Sequence, residues 1–163
     1  MPWSKPMTRG IMRPTGLRAA LAAQSNRRGP MTGDTIIDFP ETPVAYAAGD
    51  LERPIHEQAS IAFRALEASL PTLRRRRFFA ALVGSEYRAC VATEDGNAGT
   101  TLSRWVIPSG RYARRKIRDY HAQISAIGET FAEMRCRQDF DPSRPCVEVY
   151  RSQHDMYVMV PVR

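Results

Sequence analysis

The stretch Phe140-Asp-Pro-Ser-Arg-Pro-Cys-Val-Glu-Val-Tyr150 is where the chain declares its architecture. Asp141, Pro142, Ser143 and Pro145 punctuate the backbone as a turn. Val147 and Val149 then alternate with Glu148 and Tyr150, the period-2 pattern of a strand with two unlike faces. This pattern predicts the valines against a core beneath a helix layer, with Glu148 and Tyr150 on the other face. A carboxylate beside an aromatic ring on a half-buried sheet face suits a ligand contact. A solvated face satisfies the same alternation.

Working outward from this strand, the same order of elements occurs twice. Thr35 to Ala48 is a strand broken by Pro40 and Pro43. A helix follows from about Pro54 to Leu73, with Ile55, Ala59, Ala62, Phe63, Leu66, Leu70 and Leu73 as an apolar stripe at three- and four-residue steps. Pro54 suits its first turn. Strands Phe78 to Val83 and Tyr87 to Thr93 close this half, and 94–99 is a loop by composition. In the second half, Thr101 to Arg114 is a strand broken at Pro108 and Gly110. A helix from about Tyr120 to Met134 carries Tyr120, Ile124, Ile127, Phe131 and Met134. The strands Cys146 to Arg151 and Met156 to Val162 complete it. Phe39-Pro40 echoes Ile107-Pro108, Tyr46-Ala47 echoes Tyr112-Ala113, and Tyr87 and Val91 echo Tyr157 and Pro161. Two β-α-β-β units predict an α+β fold with a mostly antiparallel sheet, two covering helices, pseudo-twofold symmetry and a central cleft.

At 163 residues one domain is the default. Residues 1–33 hold Lys5, Arg9, Arg13, Arg18, Arg27 and Arg28 and no acid, so six of the 24 basic residues lie in this segment. The remainder has 18 basic and 17 acidic residues and is nearly neutral. The basicity therefore belongs to a tail, read as disordered or as an overextended start before Met31, and the domain is 34–163. A near-neutral domain argues against direct nucleic-acid binding. The run Arg74 to Arg77 reads as a solvated helix end. No apolar run is long enough for a membrane span. Cys90, Cys136 and Cys146 have no paired spacing, which suggests reduced thiols and a cytoplasmic location. His56, His121 and His154 have no metal-ligand spacing, so neither a metal nor a cofactor is expected.

The candidates to line the cleft are residues opposite the helix-covered face: Glu148 and Tyr150, Trp105, Tyr87, Tyr112 after the Pro108/Gly110 break, and its counterpart Tyr46. Several aromatics with one carboxylate suit a lipophilic cation, because ring faces attract it and the carboxylate neutralises it. For any single aromatic, core packing is the commoner role. If Arg114 or Lys116 turned into the cleft, Glu148 would be paired internally.

Here the residues resemble a family. Glu86-Tyr-Arg-Ala-Cys-Val-Ala92, Ile107-Pro-Ser-Gly-Arg-Tyr-Ala113, Val147-Glu-Val-Tyr150 and Tyr157-Val-Met-Val-Pro161 resemble strands of GyrI-like small-molecule-binding domains, in order, over about residues 35–163. The resemblance implies a ligand cleft between two related halves. It also implies a floor glutamate at Glu148 that meets cationic aromatic compounds, and a cleft tyrosine at Tyr112. The family includes the effector-binding domains of AraC-type, multidrug-sensing transcription regulators. The first 33 residues are too few for a helix-turn-helix domain, so a stand-alone ligand-binding protein for sensing, sequestration or resistance is expected. Two alternatives stay open. One is a GyrI-like hydrolase of reactive small molecules using Glu148 and Tyr112 as the working pair. The other is a protein-interaction module of the gyrase-inhibitor type.

Overall fold

The computed structural model describes residues 33–96, 98 and 101–163. The expected tail, apart from Gly33, lies outside the described residues. Eight strands and two helices follow in chain order: β1 (Thr35–Phe39), β2 (Thr42–Ala48), α1 (Ile55–Ser69), β3 (Phe78–Val83), β4 (Glu86–Ala92), β5 (Ser103–Ile107), β6 (Gly110–Ile117), α2 (Ile124–Arg135), β7 (Cys146–Tyr150) and β8 (Met156–Pro161). The sequence breaks have local causes. Pro40 and Pro108 cannot donate to a ladder, so each interrupts a long strand into two. Gly110 opens β6 at φ 138°, a conformation that side chains with a Cβ rarely adopt.

Both helices are shorter than their stripes predict. Pro54 stands at the N-cap of α1, and Leu70 already has extended backbone. The residue before a proline avoids the helical region, so Pro71 ends the helix at Ser69. In the second half, Tyr120–Ala122 forms a separate 3-10 turn ahead of α2. The arginine run is not a helix end. Arg75 has φ 56° in a turn, and Arg77 clamps Asp95 (3.1 Å) and Glu94 (3.1 Å) of the 3-10 turn Thr93–Asp95. No helix among the described residues is long and apolar enough to cross a membrane.

The strands form one antiparallel sheet in the order β1-β6-β8-β7-β3-β4-β2-β5. Exchanging each strand of one half for its equivalent in the other reverses this order and leaves it unchanged. The registers agree. A shift of 68 residues carries Ile37 and Val44 onto Trp105 and Tyr112, and the two pairs Ile37↔Tyr112 and Val44↔Trp105 are both present. The pseudo-twofold axis passes between β3 and β7, where Ala80 pairs with Glu148. The echo Phe39/Ile107 keeps this shift. The echoes Tyr46/Tyr112 and Tyr87/Tyr157 do not, so those tyrosines are not structural equivalents.

The sheet curls strongly. Three strands lie between β1 and β3, which would separate them by about 19 Å in a flat sheet. The rings of Phe39 and Phe79 are nevertheless 6.4 Å apart. The concave interior encloses Val44, Phe79, Cys90, Ile107, Tyr112, Val147 and Met159, all buried. The helices lie on the convex face. There α1 buries Ala62, Phe63 and Leu66 over Ala80, Tyr87, Ala89 and Val91, and α2 packs Met134 over Met156, Val158 and Val160. Each large apolar side chain so buried contributes roughly 1.5–3 kcal/mol.

The strand that opened the sequence reading faces the other way from expectation. Val147 and Val149 belong to the concave interior, while Glu148 and Tyr150 lie on the helix side. Both faces of β7 are covered, one by helices and one by the curl. Apolar alternation therefore identified two faces without identifying which held the helices.

Candidate functional site

Glu148 is held at the centre of the sheet, beside Ala80 on β3 and Val158 on β8. Both neighbours are fully buried, and Glu148 itself is 8% exposed. Two phenols satisfy one of its oxygens. Tyr87 Oη donates to Oε2 at 2.9 Å, and Tyr150 Oη donates to the same atom at 2.5 Å. Among the described residues Glu148 has no cationic partner. Burial pushes its carboxyl above the usual carboxylate range, and the hydrogen bonds from Tyr150 and Tyr87 only partly oppose this. Burial and the nearby carboxylate hold the Tyr87 and Tyr150 hydroxyls well above their ordinary values, so both remain donors.

Glu148 lies on the floor of a cavity of about 230 Å³ between the helices. Its sheet-side wall comes from Ala80, Leu82, Tyr87 and Cys146, with Ile55 from the first turn of α1. Its other wall is a stripe of α2: Gly128, Phe131, Ala132 and Arg135. These positions recur at i, i+3, i+4 and i+7, one face of a helix. Further along the cleft, an aromatic cluster fills the space. Tyr150 meets Phe63 and Tyr120 edge-on, each at 5.6 Å, and Phe63 meets Tyr87 at 6.2 Å. Tyr120 is 2% exposed, and its hydroxyl has no hydrogen-bond partner among the described residues.

Of the six residues expected to line the cleft, Glu148, Tyr87 and Tyr150 come together. Tyr112, Tyr46 and Trp105 do not. They lie on the concave side of the sheet, because their registers place them across from Ile37, Cys90 and Val44 rather than beside Glu148. Tyr112 is fully buried against Phe39, with its hydroxyl donating to Pro108 O at 3.3 Å. Tyr46 and Trp105 flank the Arg88 guanidinium, which stands 4.5 Å and 4.8 Å from their rings. The pairing of Glu148 with Tyr112 is therefore not assembled. Arg114 and Lys116 also leave Glu148 alone: Arg114 covers the Tyr157 ring at 4.4 Å, and Lys116 pairs with Asp155 at 2.6 Å.

Sequence reasoning missed the α2 wall and Tyr120. The apolar stripe of α2 drew attention to Ile124, Ile127, Phe131 and Met134, whereas the cavity-facing stripe shares Phe131, is offset by about a fifth of a turn and mixes Gly, Ala and Arg. Small residues at helical spacing beside one aromatic were the available signal.

No protein-family model matches the chain, and no curated protein matches it in sequence. Solved structures do share its fold. An integron cassette protein from the mobile metagenome of Vibrio cholerae superposes with a TM-score of 0.62 at 13% identity, over 82% of this chain and 97% of that one. A protein named SAV2435, solved bound to tetraphenylphosphonium, superposes with a TM-score of 0.50 at 11% identity, over 80% of this chain and 93% of that one. At these identities the likeness is one of fold.

Proposed function

We propose that this protein is a GyrI-like small-molecule-binding protein. It takes lipophilic, aromatic, positively charged compounds into the cavity between its two helices and serves in sensing, sequestration or resistance. One observation carries the reading. A carboxyl group sits on the floor of an apolar cavity, held by two phenols and balanced by no cation among the described residues. An isolated buried carboxylate is costly. An incoming cation removes that cost, and aromatic edges and faces supply the rest of the wall. The bound compound of SAV2435, a cation surrounded by phenyl rings, supports the same chemistry. The cavity is below the roughly 300–1,000 Å³ of pockets for drug-sized ligands. Compact compounds fit it as it stands, and bulkier ones require the rings of Tyr150 and Tyr120 to rotate.

The test is titration of lipophilic cations, such as rhodamine dyes, against wild type and Glu148→Gln. Loss of the carboxylate should weaken cation binding about five- to a hundred-fold, equivalent to roughly 1–3 kcal/mol. Neutral analogues of the same shape should bind almost unchanged. Equal binding of the cations by both proteins would defeat the assignment. A carboxyl whose hold on its proton is strengthened by burial also suits a general acid. A product assay on the same proteins separates the two roles, because an enzyme would lose turnover with substrate affinity largely intact.

A further inference from the structure

The cavity has a second charged end. Arg135 closes the α2 stripe, one helical face along from Gly128, Phe131 and Ala132, and lines the cavity at its exposed mouth. Seven residues of helix separate Gly128 from Arg135, about 10 Å. At about 230 Å³ the cavity suits a compact compound and not a drug-sized one. The Arg135 guanidinium has no carboxylate partner among the described residues. It stands 5.7 Å from the Phe140 ring. Its charge also reaches the Cys146 thiol at the start of β7, where it opposes the stronger upward push of burial. Glu148, two residues further along the strand, feels only its burial and its two phenols. Both charges line one largely apolar cavity, and neither has a counter-ion among the described residues.

We propose that the natural ligand is a compact dipolar compound: a flat ring with a cationic nitrogen at one end, seated on Glu148, and an anionic group at the other, meeting Arg135. This rests on the binding role proposed above and narrows its ligand class. A simple cation gains at Glu148 but must pass the like charge of Arg135. A zwitterion gains at both ends, and Arg135 discriminates against the compound lacking the anion. A guanidinium can meet a carboxylate through two parallel hydrogen bonds, which fixes the ligand's direction in the slot.

The experiment compares para-(trimethylammonio)benzoate with its methyl ester, which keeps ring and cation and removes the anion. Calorimetric titrations at low ionic strength and mildly alkaline pH use wild type, Arg135→Gln, Arg135→Lys and Glu148→Gln. Arg135 is exposed, so both of its variants should fold, and Glu148→Gln keeps the volume and the hydrogen-bonding oxygen of the buried side chain. Wild type should prefer the zwitterion about three- to tenfold, a rim-exposed charge pair being worth on this order. Arg135→Gln should abolish the preference without weakening the ester. Arg135→Lys should keep part of it, and Glu148→Gln should weaken both compounds. Equal binding of zwitterion and ester by wild type, or a preference that survives Arg135→Gln, overturns the dipolar ligand. Glu148-dependent ester binding with no preference would leave the cation-binding role standing. Failure of both compounds and of tetraphenylphosphonium to bind would remove both.

Discussion

The two halves of this molecule share one architecture and divide its tasks. At the pseudo-twofold axis, the first half contributes Ala80 and the second contributes Glu148. The first helix lies tight on the sheet: Ala62, Phe63 and Leu66 are at most 1% exposed. Its Gln58 is bonded to Arg53 O, Ser85 O and the Tyr87 amide, so the helix is tied to the β3–β4 hairpin. Gly49 explains how close the approach is, since a Cβ there would stand 2.5 Å from the Gln58 Cβ and 2.8 Å from its Cα. The second helix instead buries only Thr130 and Met134 and turns Gly128, Phe131, Ala132 and Arg135 to a cavity. A Cβ on Gly128 would meet nothing within 4 Å. One half is built for packing, and the other gives up packing for space and charge.

This contrast can be broken or sharpened by stability measurements. The largest effect should come from Phe63→Ala, which empties a fully packed site and should cost about 3–5 kcal/mol. Phe131→Ala, at a half-buried cavity wall, should cost less than half as much by urea unfolding. Equal losses would erase the division of labour. The glycines give a smaller test of opposite sign. Gly49→Ala forces α1 off the sheet and should destabilise by roughly 1–3 kcal/mol. Gly128→Ala enters open space on a helix and should stabilise by about 0.5–1 kcal/mol. A destabilised Gly128→Ala protein would show that α2 is packed like α1.

The smallest effect concerns pH. Burial raises the Glu148 carboxyl in the folded state, so the folded protein holds this proton more firmly than the unfolded chain does. Its stabilising contribution is complete below the unfolded value and is lost as pH rises through the folded one. Glu148→Gln should therefore match wild type in mild acid and melt higher, by roughly a few degrees, in mild alkali. Glu67, half-buried on α1 and raised to about 7, adds a loss of the same sign in both proteins and cancels in the comparison. A Gln variant that loses stability as pH rises just as wild type does would show that Glu148 is solvated.

Much of the fold was legible because its causes are local. Prolines at 40 and 108 and the glycine at 110 break two strands at matching places, and amphipathic stripes mark both helices. The order of strands was not legible. β1 pairs with β6 and β5 with β2, contacts that no local pattern encodes. The site was half legible. Glu148 and Tyr150 stand out as a polar pair in a valine strand, and Tyr87 reaches them from β4, across the intervening β3. The aromatics assigned beside them failed for a physical reason. Curling buries the concave face as thoroughly as the helices bury the convex one, so hydrophobicity could not say which face Tyr112, Tyr46 and Trp105 occupy.

The exchange of edge strands also has a consequence for synthesis. β1 emerges before the other described strands and belongs beside β6, which emerges sixth of the eight. At about 5–20 residues per second, the chain from Phe39 to Ile117 takes roughly 4–16 s to emerge. Throughout that interval β1 is without its partner, and β3 waits for β7 over a slightly shorter stretch, from Val83 to Tyr150. The first half can make its hairpin and dock its helix, but it cannot close. With Ile36, Ile37 and Phe39 in its five residues, the nascent protein thus depends on a chaperone, or on the shortness of β1 and the charge of Asp38, to keep that edge from neighbouring chains.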